Sequence, residues 1–190
     1  METLIICDIQ PPYVNLADNY DYLAKVRKRL RARKYDDYII FYNGVKTKTV
    51  YNEQGVRDFL IDCRFPGYVV NSPNYFDKGC GYYANLIREQ GIERKQIVHY
   101  ARSLWHQKLL RTELVEDTVI TRRHCPQLIK LRNFSLHPVI QTLDSYARKT
   151  QANFSLIGGD RNFCLLELEM TLDILHLKYK TLGALTYTDE

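Results

Sequence analysis

A chain of 190 residues, 45% hydrophobic and 26% charged, has the size and composition of one globular domain with a sizeable core. Its net charge of +5 admits an anionic partner, while no apolar run approaches the ~20 residues of a membrane span. Five scattered cysteines (Cys7, Cys63, Cys80, Cys125, Cys164) without a CxxC pair read as reduced thiols of a cytoplasmic protein, and five histidines without HxH or HExxH spacing suggest no metal site.

Leu4-Ile5-Ile6-Cys7 is a continuous apolar run closed by Asp8, as expected of a central parallel strand buried on both faces. Pro11-Pro12 interrupt it, and 19–34 reads as a helix with Leu23, Val26 and Leu30 as its apolar seam. Residues 25–34 of that helix carry seven cations in ten residues. They form either a solvated face or a surface for nucleic acid. Tyr38 to Tyr42 is a second strand stopped by Asn43-Gly44, so the first 44 residues spell β–α–β.

Beyond it, 53–63 reads as a short helix, 68–70 as a third strand, and 71–81 as turn-rich. Asn74 to Tyr83, which contains Asp77-Lys78-Gly79-Cys80-Gly81, reads as a loop over the crevice or, the preferred reading, an ordinary turn into a helix. Helices are expected over 82–90 and 93–110, a strand over 118–121, and a helix over 136–149. Phe154 to Ile157 is a strand, 164–176 a helix, and 182–187 the last strand. On that helix Leu165, Leu168, Leu172 and Leu175 define a buried stripe, which leaves Glu167 and Glu169 to solvent. The alternation predicts a single α/β domain over 1–190: a three-layer, Rossmann-like arrangement with a mostly parallel central sheet and a helical insertion within 44–117.

Chemistry concentrates at two strand ends. Asp8 closes the first strand, and Gly158-Gly159 close a late one just before Cys164, which opens a helix. In an open parallel sheet such ends share one crevice. A thiol at a helix start lies in positive potential, and a carboxylate beside it can exchange its proton.

Leu4-Ile5-Ile6-Cys7-Asp8-Ile9-Gln10 resembles the opening strand of isochorismatase-like cysteine hydrolases. Gly158-Gly159-Asp160-Arg161-Asn162-Phe163-Cys164 resembles their nucleophile turn. The resemblance implies cleavage of a small amide or imide C–N bond without a cofactor. Asp8 would be acid/base and Cys164 nucleophile, with the turn of Gly158, Gly159, Asn162 and Phe163 around the oxyanion. The family's lysine closes the strand that here reads Thr118-Val119-Ile120-Thr121, so its position holds Arg122, with Lys130 as substitute.

Two other readings use the same residues. Gly159-Asp160-Arg161-Asn162-Phe163 also resembles the turn of PIN-like and NYN nucleases. That likeness implies Mg²⁺ or Mn²⁺ held by Asp8 and Asp160, with Glu167 or Asp77 completing the set, and nucleic acid on the basic helix. A catalytically degenerate binding protein on this scaffold is the third. A small-molecule substrate, no membrane, and self-association into a homo-oligomer complete the expectations.

Overall fold

In the computed structural model the described residues are 1–44, 52–79, 82–106 and 136–188. Strand β1 (Glu2–Cys7) forms where the sequence is continuously apolar, and Thr3 to Cys7 are each at most 1% exposed. Burial that complete needs cover on both faces, which places β1 mid-sheet. The other strands are β2 (Asp37–Tyr42), β3 (Tyr75–Asp77), β4 (Asn153–Gly158) and β5 (Tyr179–Thr186). The order is β3-β2-β1-β4-β5, with every pairing parallel.

Alternate residues of β1 feed two cores. Leu4 and Ile6 pack with α1 (Tyr20–Ala32), α2 (Glu53–Asp62) and the single turn α3 (Gly67–Val70). The α1 seam of Leu23, Val26 and Leu30 is fully buried there. The Asn52 side chain caps α2 by accepting the Gly55 N–H at 2.9 Å. Ile5 and Cys7 pack on the opposite face, against α6 (Ile140–Thr150) and α7 (Cys164–Ile174). A third cluster fastens α4 (Tyr83–Gln90) and α5 (Arg94–His106) to Met170 and Ile174 of α7. The result is the expected three-layer α/β domain, with α4 and α5 outside α7. No helix among the described residues is long and apolar enough to cross a membrane.

The connection between β2 and α6 departs most from the sequence reading. Residues 68–70, expected as a strand, belong to the helical turn α3. Pro66 sets its entry, and its carbonyl accepts the Val69 and Val70 N–H groups. The third strand is instead Tyr75–Asp77, inside the stretch read as turns. The segment 44–117 therefore contributes an edge strand as well as helices. The last strand begins at Tyr179, three residues earlier than expected, whereas the strand predicted at 118–121 lies outside the described residues.

Chain order steps outward from β1 through β2 to β3, then restarts on the other side with β4 and β5. This reversal makes the carboxyl ends of β1 and β4 the topological switch point, where such sheets bind ligands.

Candidate active site

Asp8 sits one residue past β1 with a left-handed backbone (φ 49°). Its N–H donates to the Phe41 carbonyl at 2.9 Å, and its carbonyl accepts the Tyr187 hydroxyl at 2.7 Å. Two residues on, fully buried Gln10 pairs both ways with the Asn43 backbone, donating at 2.9 Å and accepting at 3.0 Å. The glutamine of the Asp-x-Gln motif is thus a strut between the ends of β1 and β2.

Lys78 follows β3, its N–H bonded to the Tyr42 carbonyl. Its Nζ lies 2.9 Å from Asp8 Oδ2 and donates to the Gly79 carbonyl at 2.9 Å. Both charged side chains are at most 1% exposed. Because β3 lies two strands from β1, the group must reach across roughly 10 Å of sheet, which suits a long lysine stem. Cys164, the first residue of α7 and 6% exposed, lies close enough to Asp8 for its thiol to favour the ionised carboxylate. Carboxylate, ammonium and thiol therefore converge, and the thiol is the most exposed of the three.

Burial raises the proton affinity of Asp8, and the Lys78 charge and the hydrogen bonds from Cys164, Lys78 and Cys7 only partly oppose it. For Lys78, burial alone would favour the neutral amine. The surrounding anionic groups, Asp8 foremost, outweigh that and hold its pKa well above the usual lysine value. Cys7, on the buried side of Asp8, is pushed well up by desolvation and then by the Asp8 charge, so it stays a thiol. The arrangement pairs a carboxylate of raised basicity with a cation beside a buried sulfur at a helix start.

The turn before Cys164 explains its glycines. Gly158 has φ 103°, and a Cβ there would lie 1.9 Å from the Cys7 carbonyl oxygen. A Cβ on Gly159 would lie 2.7 Å from the Tyr187 ring. The Asp160 carboxylate accepts the Asn162 N–H at 2.7 Å, while its carbonyl takes the N–H groups of Phe163 and Leu165. Asn162 is exposed, and the Arg88 guanidinium stacks 4.5 Å above the Phe163 ring. The N–H groups of Asn162 and Phe163, expected near the oxyanion, thus serve the turn itself.

Glu167 overturns its sequence reading. It is fully buried, because α7 is covered on a second side by α4 and α5. Its Oε1 accepts the Tyr83 and Ala84 N–H groups at 2.9 and 3.3 Å, and its Oε2 lies 3.5 Å from buried His137 Nε2. A carboxylate at the positive start of α4 thereby ties the helix that follows Lys78 to the helix that Cys164 begins. Desolvation lowers the His137 pKa despite this neighbour. Glu169, also read as solvated, is half-buried and pairs with Arg94 at 3.1 Å. Glu167→Leu is expected to cost about 2–4 kcal/mol of stability by stranding buried N–H groups, whereas Glu167→Gln keeps the acceptor and most of the stability. Equal urea midpoints for the two variants would show that the carboxylate does not brace α4.

Arg122 and Lys130, the expected cations, lie outside the described residues. The cation beside Asp8 is Lys78, which sequence reasoning passed over. The nuclease set is engaged separately: Asp8 faces the Lys78 ammonium, Asp160 closes its own turn, and Glu167 braces α4. Among the described residues no group of three His, Cys, Asp or Glu side chains is placed to hold a metal ion. On the basic helix Lys25, Lys28, Arg31, Arg33 and Lys34 are exposed, as a solvated or ligand-facing surface requires. Compared with family models, curated proteins and solved structures, the chain matches none.

Proposed function

We propose that this protein is a cysteine hydrolase of isochorismatase-like type, cleaving an amide or imide C–N bond of a small molecule. One observation carries the reading: the Cys164 thiol and the Lys78 ammonium meet on the same buried Asp8 carboxylate. Asp8 takes the thiol proton, and the fixed Lys78 charge stabilises the thiolate as it forms. Sulfur then attacks the substrate carbonyl carbon, and the carbonyl electron pair moves to oxygen near the positive end of α7. As the tetrahedral species collapses, the C–N bond breaks and Asp8–H protonates the departing nitrogen, leaving a thioester at Cys164. Water, deprotonated by Asp8, attacks the thioester to release the carboxylic acid and restore the thiol. A buried thiol, carboxylate and ammonium suit a small substrate rather than a polymer.

The test is chemical labelling. Near neutral pH, Cys164 should react with iodoacetamide at least tenfold faster than a simple peptide thiol, while buried Cys7 and Cys63 stay unmodified. Lys78→Met should remove that acceleration with the fold intact by circular dichroism. A Cys164 rate equal to that of a peptide thiol, or unaffected by Lys78→Met, would sink the proposal.

A further inference from the structure

At the opposite edge of the sheet, about 20 Å along β1 from Asp8, a groove of about 360 Å³ opens between α1 and the start of β5. Arg29 approaches from the last turn of α1, and Arg33 from the extended residue that caps it. Lys178 and Lys180 approach from the strand, two residues apart and therefore on one face. Glu2 is the one acidic side chain in the lining, and it pairs with Arg33 at 3.4 Å. Neither Arg29, Lys178 nor Lys180 has an ion-pair partner among the described residues. Like charges facing one another across a groove repel, and a bound anion relieves that cost.

We infer that this groove holds the phosphate backbone of a single-stranded nucleic acid. Two features favour a polyanion over a single phosphate. Exposed Lys25, one turn before Arg29 on the same face, extends the positive surface along α1, and Lys25 to Arg33 spans roughly 12 Å, about two nucleotides of backbone. The Arg29 guanidinium fork matches phosphate oxygens, with the lysines as point charges opposite it, while Arg33 is shared with Glu2. The site is separate from the thiol and does not depend on what Cys164 does.

Fluorescence anisotropy with a labelled RNA 20-mer at several salt concentrations tests it. Lys178→Glu/Lys180→Glu, two exposed positions that should not disturb the fold, is expected to weaken binding at least tenfold. The slope of log K against log salt should become shallower by about 1.4, two phosphate contacts on a single strand. Lys95→Glu/Lys149→Glu changes net charge equally at exposed sites outside the groove and should weaken binding far less. Cys164→Ala should bind as the parent does. Equal losses in the two charge-reversed variants would overturn the inference in favour of net charge alone. Binding of polyglutamate, or of a mononucleotide, as tight as that of RNA would overturn it as well.

Discussion

Asp8→Asn is expected to abolish the proposed hydrolysis and, in addition, to lose about 3–5 kcal/mol of stability. The substitution is nearly isosteric, so packing does not supply the cost. It leaves the Lys78 ammonium buried at 0% exposure with its nearest countercharge gone. An unpaired buried cation is among the few single-site changes large enough to threaten a domain of ordinary stability. Asp8→Asn/Lys78→Met removes both charges and should recover most of the lost stability while staying inactive. Urea unfolding of the parent and the two variants decides it: a double variant no more stable than Asp8→Asn would mean that the pair is not what holds these two strand ends together.

The pH dependence of stability gives an independent sign. In the parent protein Lys78 has a raised pKa, because anionic neighbours outweigh its burial. Its contribution is therefore fully present below the ordinary lysine value and declines as pH rises through the raised folded value. In Asp8→Asn the largest opposing charge is gone, and burial is expected to take the folded pKa of Lys78 below the unfolded one. Between those two values the unfolded chain binds the extra proton, so the variant gains stability with rising pH, by about 1.4 kcal/mol per unit. The parent should show no such gain. The raised proton affinity of Asp8 also has a kinetic sign: only the ionised carboxylate accepts the thiol proton, so activity should switch on with pH above the ordinary carboxylate range.

Asp8 and Cys164 were legible in the sequence because each adjoins a strong local signal. A four-residue apolar run stops at Asp8, and a pair of glycines leads from a strand into the Cys164 helix. Lys78 had no such signal. The strand that positions it is three residues long, lies at the sheet edge, and is embedded in Asn, Ser, Pro and Gly. Nearby Val69-Val70 reads as a strand because β-branched pairs favour strands, whereas Pro66 just before it marks a helix start. Glu167 was misread for a different reason. A single leucine stripe implies one covered face, but Met170 and Ile174 define a second, which α4 and α5 cover. Apolar residues outside the stripe were the available clue that α7 is enclosed on both sides.

Gly158→Ala should leave little or no folded protein at 25 °C, a loss on the order of 4 kcal/mol or more. Gly158 pairs in register with Cys7, and its φ of 103° is one that L-residues rarely adopt. The added Cβ would lie 1.9 Å from the Cys7 carbonyl oxygen and under 3 Å from its carbonyl carbon and nitrogen. Every one of these atoms is backbone of the central strand, so no side chain can move aside. Relief requires β1 and β4 to separate between Asp8 and Cys164. Gly159 is an informative contrast, since its Cβ would meet the ring of Tyr187. Gly159→Ala should therefore be partly rescued by Tyr187→Ala, although that variant also removes the 2.7 Å hydrogen bond to the Asp8 carbonyl. No second substitution should rescue Gly158→Ala. Thermal unfolding of the variants measures the difference, and a Gly158→Ala protein melting within a few degrees of the parent would show that the two strand ends are not in such close contact. The close approach of β1 and β4 holds Asp8 and the turn into Cys164 at one pair of strand ends, so the glycine that stability demands is also one that the proposed chemistry requires.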